Sequence, residues 1–413
     1  MMLADDFEVQ RTIYLDSIDK WIGTPVVKVL TGMRRVGKSI LLRQISERLK
    51  ARTNDPRKVL LVSTESIKYE MVRNHRDLHQ LAEEARKESP DGRLALLVDE
   101  VQNVDHWERA VASLAAEGPF ELFLTGSNAS LLASDLATRI AGRYIEFPVF
   151  PLTFGEFIEF RKAAGSSADE AEMFRSFIRY GGLPGIHHVL FTDEQIDQYL
   201  NGIYSTIILR DVVDRYSVRN PRLLEDICTF LFDSIGATLS AKKIADYLKS
   251  QRRSATVDTG LNYVGFLESS YAIRRARRFD IRGKRHLEVQ DKFFLGDIGL
   301  RYARLGHRDN DIAAILENIV FLELLCRGYS VSVGKVGPLE VDFVAVSQGS
   351  RIYIQVCYRM EQPETREREF RSLRSIEDNY PKIVLSLDDF PASDAGGIRH
   401  LNLVDFLLHR KDL

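Results

Sequence analysis

Gly32-Met33-Arg34-Arg35-Val36-Gly37-Lys38-Ser39 is the stretch that decides how the first third of this chain folds. It satisfies the pattern G-x-x-x-x-G-K-[ST], and both flanks suit it. The β-rich run VVKVL (Val26–Leu30) leads in, and SILLRQISERLK (Ser39–Lys50) continues with helical composition. The glycines let backbone N–H groups close around phosphate oxygens, and the following helix adds the positive end of its dipole. On this reading Gly32, Arg34, Arg35, Val36, Gly37, Lys38, Ser39 and Ile40 line a site for ATP. Lys38 reaches the β- and γ-phosphates, and the Ser39 hydroxyl ligates Mg²⁺.

Further β-rich runs follow at Val59–Ser63, Leu94–Val98, Phe120–Thr125 and Tyr144–Phe147, with helical stretches such as Arg76–Glu88 between them. Strands alternating with helix-length connections predict βαβ units and a parallel sheet covered on both faces. Leu94–Glu100 (LALLVDE) is a buried-strand run ending in two carboxylates. Asp99 is placed to hold Mg²⁺ and Glu100 to polarise the attacking water. An acidic pair at a strand end is weak alone, but behind a phosphate loop it supports hydrolysis. The next strand ends at Gly126-Ser127-Asn128, where a polar side chain can lie between the two motifs. Asn128 is the candidate there, against an ordinary turn-forming asparagine. Arg139 and Arg143 precede the last strand, and either could serve a neighbouring subunit's nucleotide as an arginine finger or contact phosphate in cis. Arg143 is the preferred candidate; the alternative is an ion pair or a solvated charge. The expected catalytic set is thus Lys38, Glu100, Asn128 and Arg143, with Ser39 and Asp99 on the metal.

The whole chain bounds this reading. Its 413 residues, at roughly 100–200 per domain, predict two to four domains. With 45% hydrophobic residues, 26 Gly and 12 Pro, it is neither disordered nor linker-dominated. Cys228, Cys326 and Cys357 are scattered and odd in number, which leaves no disulfide framework or Cys-rich zinc site. The opening residues are acidic where a signal peptide would be basic, and no apolar run approaches the roughly 20 residues of a membrane span. These features predict a soluble, cytoplasmic protein without a membrane partner. Fifty-seven Lys+Arg against 59 Asp+Glu give a net charge of −2, which excludes a globally basic nucleic-acid coat but not a local basic patch.

GMRRVGKS, LLVDEVQNVDHWE, LTGSNASLL, FPVFPLTFGEF and YGGLPGI together resemble the prokaryotic AAA-type ATPases that carry a C-terminal domain of unknown function. The resemblance runs nearly the full length. It implies an ATP-binding AAA+ core that self-associates, with a hexamer or another ring among the forms.

Residues 151–217 read as largely helical, interrupted by YGGLPG (Tyr180–Gly185). Beyond them, helices over Pro221–Ile235, Ser240–Lys249 (Ser240 as its N-cap) and a third beginning near Ser254 or Thr256 precede two strands. These strands, Tyr271–Arg278 and Arg285–Phe294, flank a turn at Asp280–Gly283, which is winged-helix order. Between Gln251 and His286 stand Arg252, Arg253, Arg274, Arg275, Arg277, Arg278, Arg282, Lys284 and Arg285 against three acids, a balance of +6. Such a cluster suits the phosphates of DNA, single-stranded or branched, more than base readout. The alternative is a protein-docking module, in a nucleotide-driven signalling or scaffold switch.

The remainder reads as helix Asp311–Arg327, strands Val331–Val336, Val341–Val346 and Arg351–Tyr358, helix Glu364–Asp378 and strand Lys382–Leu387. This αβββαβ order resembles the restriction-endonuclease-like fold, whose site sets an acid on one strand and E-x-K on the next. Asp342 fits the first acid, but Gln355 and Cys357 stand at the other two places, so the domain is expected to be catalytically inactive; Arg359 shares that face. The expected architecture is α/β: an AAA+ parallel-sheet core with a helical lid (1–217), a winged helix (218–305) and a restriction-endonuclease-like α/β domain (306–413).

Overall fold

The computed structural model describes residues 9–89, 91–129, 131, 140, 142–187, 192–251, 256–287, 290–306, 308, 311–388, 393–394 and 396–410. The chain divides into two compact units: residues 1–149 with 269–271, and residues 150–268 with 272–413.

In the first unit helix α1 (Thr12–Asp19) precedes strand β1 (Val27–Thr31) and helix α2 (Lys38–Arg52). Then come β2 (Val59–Ser63), α3 (His75–Glu88), β3 (Leu94–Asp99), α4 (Trp107–Glu117), β4 (Phe120–Gly126) and β5 (Tyr144–Pro148). The five strands form one parallel sheet in the order β2-β3-β4-β1-β5. Every residue of β1, β3 and β4 is buried, as a parallel strand covered on both faces requires. Val27, Val29, Leu96, Val98, Leu122 and Leu124 pack with Leu78 of α3 and with Trp107, Val111 and Leu114 of α4. The alternate residues Leu30, Leu97 and Phe123 point the other way and are equally buried, as are Leu41, Leu42 and Ile45 of α2. Each such side chain contributes about 1.5–3 kcal/mol of burial. The strand order sets the C-terminal ends of β1, β4 and β3 side by side, and the ligand crevice of an open α/β sheet lies there.

The second unit opens with helices α5 (Phe154–Ala163), α6 (Glu170–Tyr180) and α7 (Asp193–Thr206), the last continuing as a π-helical segment, Ile207–Asp214. The YGGLPG turn has a specific lock. Gly182 N donates to Asp297 Oδ2 (2.8 Å) and Gly299 N to Asp297 Oδ1 (2.7 Å). A Cβ at residue 181 would stand 2.1 Å from Asp297 Oδ1, so only glycine fits. Helices α8 (Pro221–Asp233), α9 (Ala241–Ser250) and α10 (Val257–Ser269) follow at the expected places, and the Ser240 side chain caps α9 by accepting from Lys243 N.

The expected hairpin is built differently. It breaks at Arg277 into an inner pair, β6 (Ile273–Ala276) with β9 (Lys292–Leu295), and an outer pair, β7 (Arg278–Asp280) with β8 (Arg285–His286). The outer pair joins the sheet of the C-terminal region, because β7 runs parallel to β10 (Ser330–Val336) and Phe279 and Ile281 enter that region's core. Apolar burial overrides continuation of a free hairpin. After α11 (Ile298–Leu305) and α12 (Ile312–Cys326), strands β10, β11 (Leu339–Ser347) and β12 (Ser350–Val356) are antiparallel. Helix α13 (Pro363–Arg374), β13 (Lys382–Ser386), β14 (Ser393–Asp394), β15 (Ile398–Asn402) and α14 (Leu403–Leu407) complete the unit. The eight-stranded sheet runs β14-β15-β13-β12-β11-β10-β7-β8. Among the described residues no helix is long and apolar enough to cross a membrane.

Candidate functional site

The loop between β1 and α2 curls through Gly32 (φ 144°), Arg35 (φ 70°) and Gly37 (φ 97°), and Gly37 caps α2. Such positive-φ positions turn successive N–H groups toward one concavity, an anion-binding nest. Gly32 admits no substitute: a Cβ would stand 2.2 Å from Val149 O. Val36 is buried, and its carbonyl accepts from the buried Arg11 guanidinium (3.0 Å), so the N-terminal helix braces the loop. Arg34 pairs with Glu65 (3.4 Å), whereas Ile40 is exposed.

Lys38 is buried. Its Nζ donates to Gly32 O and Met33 O, each at 3.0 Å, and lies 3.8 Å from Glu100 Oε1. Ser39 Oγ donates to Asp99 Oδ1 (3.0 Å). The structure thus brings Lys38, Ser39, Asp99 and Glu100 together at adjoining strand ends. A hydroxyl beside a carboxylate is the hard-oxygen donor set that suits Mg²⁺, and the nest with its lysine suits a polyphosphate. Burial pushes the Asp99 carboxyl above its ordinary value, against the hydrogen bonds from Thr125 and Ser39. Burial acts the same way on Glu100, but Lys38, Gln102 and Arg34 outweigh it and hold that carboxyl below the ordinary value.

Sequence reasoning missed three partners of this pair. Thr125 Oγ1 donates to Asp99 Oδ1 (2.6 Å) and accepts from Glu100 N (2.8 Å), which makes it the polar side chain of β4 on the carboxylate pair. The signal lay in strand adjacency: with Val98 opposite Leu124, the next residues along are Asp99 and Thr125. Thr64 Oγ1 donates to the carbonyls of Asp99 and Glu100, and the Gln102 amide donates to Glu100 Oε2. Asn128 is buried two residues beyond β4.

Arg143 is exposed at the start of β5, where Tyr144 pairs with Val27 at the start of β1. The phosphate loop follows the other end of β1, five residues away, roughly 16 Å at the rise of a strand. An arginine side chain does not span that distance, so the expectation of a contact in cis fails on geometry. Arg139 lies outside the described residues.

The comparisons with known proteins fit this geometry. The family described as AAA domain matches residues 24–158, and a domain family of unknown function, DUF8612, matches residues 171–311. A protein of Haemophilus influenzae, described as uncharacterized, is 35% identical over 401 residues, which cover 97% of this chain and 98% of that one. The chain belongs to that protein's family. Protein MJ1544 of Methanocaldococcus jannaschii is 33% identical over 293 residues, 67% of this chain and 64% of its own. Among solved structures, the Walker-type ATPase of Pyrococcus abyssi has a TM-score of 0.50 at 17% identity, covering 72% of this chain and 95% of that one, which shows a shared P-loop ATPase fold.

The basic residues of this chain separate into two groups. Arg274 lies over the Phe150 ring, Arg275 pairs with Glu268 (2.8 Å) and Asp291 (3.4 Å), and Arg278 bonds Gln290 and approaches Glu340. Arg282, Lys284 and Arg285 are exposed around the β7–β8 tip, and Arg277 is exposed at the break before β7. Arg252 and Arg253 lie outside the described residues.

In the C-terminal region Asp342, Gln355, Cys357 and Arg359 line one cavity of about 520 Å³. Gln355 is engaged by Glu369 and Ser372, and Arg359 by Glu361. Burial raises the Cys357 thiol, which belongs to the apolar core, so it is an inert thiol. A lysine does reach the neighbourhood, but from β9: Lys292 Nζ lies 2.7 Å from Glu340 and 3.4 Å from Glu317. Burial alone would lower its ammonium, and Glu317, Asp342 and Glu340 together raise it. Burial and the charge of Glu317 push Asp342 well above the carboxylate range.

Proposed function

We propose that this chain binds and hydrolyses ATP with Mg²⁺, self-associates, and couples turnover to binding or remodelling DNA. The observation that carries hydrolysis is the convergence of Lys38, Ser39, Asp99 and Glu100 on one strand-end crevice. Loop N–H groups and the Lys38 ammonium would hold the phosphates, and Ser39 and Asp99 would hold the metal. Bound Mg²⁺ supplies neutralisation of the developing phosphate charge. Glu100 would accept a proton from the attacking water at its carboxylate. Arg143, exposed and remote from its own phosphate loop, serves as a finger only toward a neighbouring copy, in a hexamer or another ring.

For DNA, the support is the exposed basic tip of three residues, Arg282, Lys284 and Arg285, with Arg277 exposed at the base of the same outer strand pair, in what would be the wing of a winged helix. Phosphate contacts of this kind supply affinity rather than sequence choice. The second reading, a nucleotide-driven switch with a protein partner, draws on the internal pairing of Arg275 and Arg278. The test is the ATPase rate with and without single-stranded, duplex and branched DNA at low salt, with Lys38→Ala as the blank. Turnover lost in Lys38→Ala and accelerated by one of the DNAs is expected. Lys38-dependent turnover with no DNA binding would overturn the DNA part and leave the switch.

A further inference from the structure

We infer that Gln102 is the positioning residue of Glu100, fixing the carboxylate that takes the proton from the attacking water; this rests on the hydrolysis reading above. Glu100 has a left-handed backbone (φ 52°, ψ 53°), a conformation that a side-chain-bearing residue holds only when its surroundings impose it. Two hydrogen bonds impose it here: Glu100 N donates to Thr125 Oγ1, and the Glu100 carbonyl accepts from Thr64 Oγ1. The chain then makes one 3₁₀ turn, Val101–Asn103, which brings Gln102 back over the side chain of Glu100.

The carboxylate is held at both oxygens. Oε1 lies 3.8 Å from Lys38 Nζ, and Oε2 accepts from Gln102 Nε2. The same Nε2 lies 3.4 Å from Ser127 Oγ, just past the end of β4. An anionic carboxylate accepts only from the NH₂ end of an amide, so the orientation of Gln102 is fixed. Its Oε1 must face the other way, and there it is buried with no hydrogen-bond partner among the described residues. Residue 126 accommodates it by being glycine, since a Cβ would stand 2.9 Å from that oxygen.

An orphaned buried acceptor lowers stability, and methionine would fill the same space without it. Gln102 therefore makes sense as a donor to Glu100 and not as packing. Without that donor, the Lys38 ammonium would be the strongest remaining hold on the carboxylate, with the Ser127 hydroxyl as a weaker one, and would draw it toward the phosphate loop and away from a water in line with the γ-phosphate. Small misplacements of this kind are costly in rate.

The experiment is steady-state and single-turnover ATP hydrolysis by the full chain, with equilibrium ATP affinity and thermal denaturation measured alongside. The proteins are wild type, Gln102→Met, Glu100→Gln and the double variant, with Lys38→Ala as the blank. Gln102→Met is expected to lower kcat about 10- to 100-fold while ATP affinity stays within about twofold. Its Tm should stay level or rise, which a merely structural role would not produce. In the Glu100→Gln background the same substitution should cost no further rate. An unchanged kcat, a parallel loss of ATP affinity, or an equal loss in both backgrounds would overturn the role of Gln102. Absence of Lys38-dependent turnover in the wild type would overturn the hydrolysis reading with it, whereas turnover undiminished by Gln102→Met overturns the positioning role alone.

Discussion

Lys292→Met is a stability test of the carboxylate cluster in the C-terminal region. Lys292 is 5% exposed, with its ammonium 2.7 Å from Glu340 and 3.4 Å from Glu317. Removing one partner of a buried ion pair typically costs about 3–5 kcal/mol, because the remaining charges stay desolvated and uncompensated. Glu340 is 36% exposed, so its share is screened, and the lower end, about 3 kcal/mol, is expected. At about 2–4 °C per kcal/mol this is a fall of roughly 6–12 °C in the transition of that unit. The loss should depend on pH. Burial already raises the carboxyls of Glu317 and Asp342, and loss of the cation raises them further. A carboxyl whose folded pKa lies above its unfolded value costs stability as pH climbs from the unfolded value through the folded one. The deficit should therefore be small near pH 4 and grow toward neutrality, and Glu317→Gln added to Lys292→Met should recover part of it. Denaturation followed by circular dichroism at about pH 4.5 and about pH 7.5 measures this. A loss below about 1 kcal/mol at neutral pH, or one equal at both, would refute the electrostatic account.

Thr125→Val should remove the hydroxyl from Asp99 and strand the buried Glu100 N–H, costing about 1–3 kcal/mol in urea denaturation and lowering ATP turnover. Thr125→Ser, which keeps the hydroxyl, should recover both. Alanine at Arg277, Arg282, Lys284 and Arg285 together should weaken DNA binding and flatten its log–log salt dependence by about 0.9 per lost phosphate contact, read by titration at several salt concentrations. Burial raises Asp297 to about 6, so wild-type stability should fall as pH rises from about 4 through about 6, by up to roughly 3 kcal/mol. In Asp297→Asn that slope should vanish from the pH–stability curve. The variant should also be weaker at neutral pH, because an amide can accept from Gly182 or Gly299 but not from both.

What the sequence makes legible is local. Glycine, lysine and serine at fixed spacing specify a loop whose function depends on its own backbone, and LALLVDE specifies a strand that ends in its own carboxylates. Thr125 becomes visible only once β4 is known to run beside β3 in parallel register. Arg11 on Val36 O spans 25 residues of chain, and nothing near either residue announces the bond. Lys292 is the clearest case. In sequence it is one more basic residue at a strand start. In the fold it answers two glutamates from α12 and β11, elements that follow it in the chain.

The +6 segment shows where charge counting fails and what replaces it. Formal charge is additive along a sequence, but the field a partner meets depends on which charges are already answered. Glu268 and Asp291 answer Arg275, and Gln290 with Glu340 engages Arg278. Arg275 is bracketed on the inner half of the hairpin, whereas the outer half keeps Arg277 before β7 and Arg282, Lys284 and Arg285 at its tip in solvent. The two halves therefore serve as each other's control. If DNA is the partner, substitutions at the tip weaken binding while Arg275→Ala mainly loosens the fold. If a protein is the partner, its acidic groups would meet the same tip, but the affinity would follow matching of individual charges and not the counterion release that a polyphosphate backbone imposes. The salt slope, more than the affinity itself, is what separates the two readings.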